Sequence, residues 1–110
     1  MKLLTDELKT KLLAKGANRD QDHAPVVKFF NPVGSATWLI SEMDPDNHDW
    51  LFGLCDLGFQ CPELGTVSLH ELEGITLKSG LKIDRDLHFK ASHPMSYYVD
   101  RARTMGYIDA

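Results

Sequence analysis

Cysteine is nearly missing from this sequence: Cys55 and Cys61 are the only two, too few to staple a secreted fold. No apolar run approaches the roughly 20 residues that cross a bilayer. The opening MKLLTDELKT has no hydrophobic stretch behind its lysine, so no signal peptide is expected either. The cytoplasm is the expected address. Positive charge is also short, with 12 Lys and Arg against 16 Asp and Glu for a net charge of -4. The basic residues are scattered rather than gathered in a stripe, which argues against direct nucleic-acid binding. Catalytic signatures are missing too. Ser35, Ser41 and Ser68 stand outside any G-x-S-x-G turn, and neither a P-loop nor a dinucleotide fingerprint occurs. SLHELE does not have the H-E-x-x-H spacing of a zinc protease. Nothing here supports an enzyme.

What is present suits a single folded domain. The 110 residues are 43% hydrophobic and 25% charged, an ordinary globular balance that predicts one domain over residues 1–110. Thr5 can cap a helix over 5–15, with Asp6 and Glu7 in its first turn and Leu8, Leu12 and Leu13 on its buried stripe. Gly16 is expected to stop it. VVKFF, ATWLISEM and WLFGLC read as strands, joined by the turn NPVGS and the acidic loop MDPDNHD, which predicts an antiparallel meander. TVSLHELEGI reads as a short strand entering a helical turn, with Ser68 as cap and Glu71 three residues on. LKIDRDLHF alternates as a final strand, and Ser92 with Pro94 opens a closing helix that ends before Gly106. The expected fold class is α+β: a mainly antiparallel sheet of about four strands, with helices at both termini.

LKIDRDLHF carries the first candidate site. Strand alternation puts Leu81, Ile83, Arg85, Leu87 and Phe89 on one face and Asp84, Asp86 and His88 on the other. Arginine on an apolar face needs a partner for its charge and its donors. The same rule puts Trp38, Ile40 and Glu42 on one face, so Glu42 is the expected partner, with Glu63 and Glu71 as alternatives. Such a pair either fixes strand register or leaves Arg85 to hold a ligand carboxylate or phosphate. Asp86 and His88 could share a divalent metal or acid–base work, although a solvated strand face would look the same. The zinc-type residues His48, Cys55, Cys61 and His70 lack paired spacing, since five residues separate the cysteines. No metal and no cofactor is expected.

Aromatic residues carry the second candidate. Phe29, Phe30, Trp38, Trp50, Phe52 and Phe59 fall mostly in strands, where core packing is their ordinary task. A meander has two faces, however, and an uncovered one would present rings to a partner. Trp50 and Phe59, flanking the ELG loop, are the candidates there, and Tyr97, Tyr98 and Arg101 of the closing helix could likewise contact a partner.

The order KFFNP, TWLISEMD, FGL, ELG, SLHELE and IDRDLHF resembles domain-of-unknown-function family 2958, from MKLLTDEL to about Phe89. The resemblance implies a short bacterial protein of a plasmid, phage or integrative element, and through that setting a role in countering host defence or assisting transfer. Similar proteins tend to carry aromatic residues after ELG, where this chain has Thr66 and Val67. The expected function is therefore a non-enzymatic accessory or inhibitor protein that binds a protein partner. The alternative is a small-ligand or metal-dependent activity around Arg85, Asp86 and His88, with Glu42. Nothing in the sequence sets the oligomeric state.

Overall fold

A computed structural model describes residues 2–110. The first helix, α1 (Asp6–Gly16), begins where Thr5 takes an extended conformation and its Oγ1 accepts from the Leu8 amide at 3.2 Å. Leu12 is fully buried and Leu8 and Leu13 are half-buried, as the spacing predicts. The glycine at its end serves a different purpose from the expected one. Ala17 behind it stays right-handed, and a Cβ on Gly16 would lie 1.9 Å from the Met43 carbonyl oxygen. Glycine stands here because the last turn rests directly on a strand backbone.

Four strands follow as a meander: β1 (Val27–Phe30), β2 (Thr37–Met43), β3 (Trp50–Asp56) and β4 (Glu63–Ser68). Then come α2 (Leu69–Gly74), β5 (Asp84–Arg85) and α3 (Met95–Met105). The single sheet has the order β4-β3-β2-β1-β5 with every pairing antiparallel, so the expected α+β class holds with five strands. The ELG segment, expected as a loop, lies inside β4. Ser68 caps α2 by accepting from the Glu71 amide at 3.2 Å. α3 closes on Gly106, whose φ of 82° gives the left-handed end that glycine supplies without strain.

One helix covers each face of the sheet. Trp38, Ile40, Met43, Leu51 and Phe29 pack with Leu12, Leu3 and Leu4 on the α1 side. Leu39 and Leu54 pack under Met95, Tyr98, Val99 and Ala102, which recur at helical spacing along α3. The result is a helix–sheet–helix stack with two apolar layers.

The final strand is far shorter than its alternation predicts. Among the described residues only Asp84 and Arg85 join the sheet, paired with Phe30 and Phe29, while Lys82 makes an isolated bridge to Thr76. Asp86 Oδ1 accepts from the His88 amide at 2.8 Å, a local turn that competes with the ladder and ends it. Ile83 packs in the α1-side layer while Phe89 and Ala91 pack in the α3-side layer. The segment therefore crosses the sheet edge, and Leu81 and Leu87 are left exposed.

Candidate functional site

The expected Arg85–Glu42 pair does not form. The Arg85 guanidinium donates to the Leu3 carbonyl at 2.6 Å, with the Lys2 carbonyl at 3.4 Å, while Glu42 meets Arg19 at 3.7 Å. The reason is a β-bulge: Ile40 pairs with Gly53 and Glu42 with Phe52, so Ser41 is left over. The extra residue shifts the phase of the strand. Ile40 and Met43 both enter the α1-side core, and Glu42 turns away from the face it was expected to share with Ile40. A trace of this is visible in TWLISEM, where the apolar beat falls at 38, 40 and then 43 instead of 42.

Asp86 and His88 come together with the terminal helix instead. A cleft of about 420 Å³ is lined by both, together with Tyr97, Tyr98, Arg101 and Asp109. Its charged groups are largely matched to one another. Arg101 donates to Asp109 Oδ2 from Nε at 2.8 Å and Nη2 at 2.6 Å, and the hydrogen bond and charge of Asp109 raise the arginine's pKa. Lys28 stands 3.8 Å from Asp86 and donates to the Ala110 carbonyl at 2.7 Å. Tyr97 is half exposed and stacks on His93 at 3.7 Å. Tyr98 is a correction: it is buried in the α3-side layer, and its hydroxyl accepts from the Ser92 amide at 3.0 Å, which leaves it little surface to offer a partner.

Trp50 and Phe59 are both exposed but lie at opposite ends of the β3–β4 hairpin. The seven-residue β3 separates them by about 20 Å at the usual strand rise, so they cannot form one patch. Trp50 pairs with Ser68, beside α2. Phe59 sits at the hairpin tip and is 79% exposed. The same end of the sheet carries other exposed apolar side chains: Val33 from the β1–β2 turn, Leu57 from the same loop, and Met105 and Tyr107 from the end of α3. The sequence reading missed these four, because they come from three separate segments.

Hydrogen bonds brace this end from below. Asp56, buried, accepts from the Gly58 amide at 2.8 Å and from the Ile108 amide at 3.1 Å, tying the hairpin loop to the tail behind α3. Gly58 and Gln60 both take positive φ, 89° and 64°. For glutamine that conformation is uncommon and costs about 1 kcal/mol. A cavity of about 410 Å³ lies between Ser35, Gly58, Gln60, Met105 and Tyr107.

The zinc-type residues stay apart. Cys55 lies in β3 against the α1-side core, where burial pushes its thiol up to about 11 and keeps it from the thiolate form that binds metal. Cys61 is exposed in the hairpin loop. Among the described residues no three His, Cys, Asp or Glu side chains converge in a way that could hold a metal ion. No described helix is long and apolar enough to cross a membrane.

Residues 3–109 match the profile of the family described as Protein of unknown function (DUF2958), nearly the whole chain. Comparisons with curated proteins and with solved structures returned no match.

Proposed function

We propose that this chain, which belongs to the family described as Protein of unknown function (DUF2958), works by holding a protein partner at the Phe59 end of its sheet. The observation that carries the reading is the exposure of the Phe59 ring on a loop that Asp56 fixes in place. An aromatic ring left in water on a braced loop loses little further freedom on binding, so its burial converts efficiently into affinity. Val33, Leu57, Met105 and Tyr107 are exposed at the same end of the sheet. The setting that belongs to this reading is a bacterial mobile element, in which such a binder serves as an accessory or inhibitor protein directed at host defence or assisting transfer. The polar cleft around Asp86 and His88 supports a ligand-dependent activity less well, because Arg101 and Lys28 are already engaged there.

The test is a pull-down from a bacterial lysate with wild-type, Phe59→Asp and Tyr107→Asp proteins of native circular dichroism. Stoichiometric retention of one protein by the wild type, lost in both variants, supports the reading. Equal retention by all three proteins contradicts it. If a fourth protein, Tyr97→Ala, loses the partner while Phe59→Asp and Tyr107→Asp keep it, the interface moves to the cleft lined by Asp86 and His88.

A further inference from the structure

α3 covers only part of its sheet face. Beside its first turns a cavity of about 280 Å³ opens, at the small end of ligand-pocket sizes. Ser41, Glu42, Phe52 and Leu64 line it from the sheet, and Val99 lines it from the helix. The connector behind α1 supplies the remaining wall and is fixed there. Asp22 Oδ1 accepts from the Ser96 amide at 3.0 Å, its second oxygen accepts the Ser96 hydroxyl, and the Met95 amide donates to the His23 carbonyl at 2.9 Å.

The bulge brings polar groups into this wall that the fold does not use. Ser41 is 1% exposed, and its hydroxyl is buried without a hydrogen-bond partner among the described residues. Glu42 is 6% exposed, and its carboxylate meets Arg19 Nε at 3.7 Å, beyond hydrogen-bond length. Arg19 itself stands mostly in water. An unpaired hydroxyl next to an underpaired carboxylate is a costly arrangement to bury. Desolvation accordingly holds the Glu42 carboxyl above its ordinary pKa, with His23 and Arg19 pulling it part of the way back. Bulges are a recurrent means of aiming a side chain at a site.

We propose that this cavity binds a small organic cation, an ammonium or amidinium group that donates to Glu42 and Ser41 while its apolar part lies on Phe52, Leu64 and Val99. A cation fits better than an anion because the innermost charged group is a carboxylate, whereas Arg19 and Arg103 stand exposed at the mouth. An incoming N–H group would take the place of the loosely held Arg19. The apolar lining favours a ligand that carries a ring or a branched chain on the cationic head.

The experiment is calorimetric titration and amide-shift mapping with benzylammonium and benzamidinium, beside benzyl alcohol and benzoate as matched neutral and anionic probes. Saturable binding of the two cations is expected, with shifts at Ser41, Glu42 and Phe52. Glu42→Gln should weaken it by about tenfold or more, because a close charge pair is lost. Leu64→Trp, a change at a half-exposed position, should fill the cavity and abolish binding if Glu42→Gln fails to fold. Absence of saturable binding by either cation overturns the proposal. So does equal binding of benzyl alcohol or benzoate, or affinity that survives both Glu42→Gln and Leu64→Trp.

Discussion

Arg85 and Leu3 are bound to each other across the length of the chain, guanidinium Nη1 to carbonyl oxygen at 2.6 Å. On its other side the Leu3 amide donates to Glu73 Oε2 at 3.1 Å. The backbone of one buried residue is thus gripped from β5 and from α2, and Leu3 and Leu4 are held in the α1-side core. The arginine that looked like a ligand-binding candidate closes the N-terminal segment onto the sheet.

Arg85→Ala should therefore lower stability by about 1–3 kcal/mol, the cost of a lost charge-assisted bond with a carbonyl left behind. The same variant should make the segment before α1 easier to cut. Urea denaturation and limited proteolysis read the two effects. An unchanged urea midpoint would return Arg85 to the list of residues free for a ligand.

Gly16→Ala should destabilise the protein by about 1–3 kcal/mol through overpacking, although alanine is the better helix former by about 1 kcal/mol. The added methyl group has no room beside the Met43 carbonyl. Thermal melting of the variant checks the sign, and a raised melting temperature would show that α1 can lift from β2 freely.

Glu42→Gln should be more resistant to urea than the wild type at pH 7. The folded-state pKa of Glu42 is raised, chiefly by desolvation, so the folded protein holds that proton more tightly than the unfolded chain. The penalty is absent below the unfolded value of about 4.3, grows as pH rises towards the folded pKa, and stays constant above it. The gap between variant and wild type should close near pH 4, as urea midpoints across pH will tell. A wild type that is the more stable protein at pH 7 would mean that Arg19 already compensates the charge.

Asp49 has the opposite sign. Its carboxylate accepts from the Ser68 hydroxyl at 2.5 Å and from the His70 amide at 2.8 Å, which lowers its pKa. The stability it contributes is present above the unfolded value of about 3.9 and is lost as pH falls through the folded one. Asp49→Asn should weaken the protein at pH 7 and flatten the acid limb of its stability curve. Parallel acid limbs for the two proteins would count against this linkage.

Local reading worked where local chemistry decides. Thr5 and Ser68 cap their helices, Gly106 ends α3, and the three expected meander strands form as β1, β2 and β3, because capping, turn geometry and short-range pairing are written in adjacent residues. It failed at LKIDRDLHF, where the alternation is real but aspartate turns outcompete the ladder after two residues.

The sites depended on distance in space. One extra residue at Ser41 reversed which face Glu42 occupies, since strand side chains alternate with period two and a single insertion inverts everything after it. The 42-to-43 slip in the apolar beat hinted at this, but only the partner strand, through the Ile40–Gly53 and Glu42–Phe52 pairs, fixed where the bulge falls. The apolar end around Phe59 likewise comes from three segments that meet only once the sheet has formed. Patterns within neighbouring residues were enough for most of the elements, the α+β class and the family, but not for the length of β5 or the strand at ELG. The tertiary structure alone decided which side chains face water, which face each other, and which are buried without a partner, because burial and pairing are properties of residues far apart in the chain.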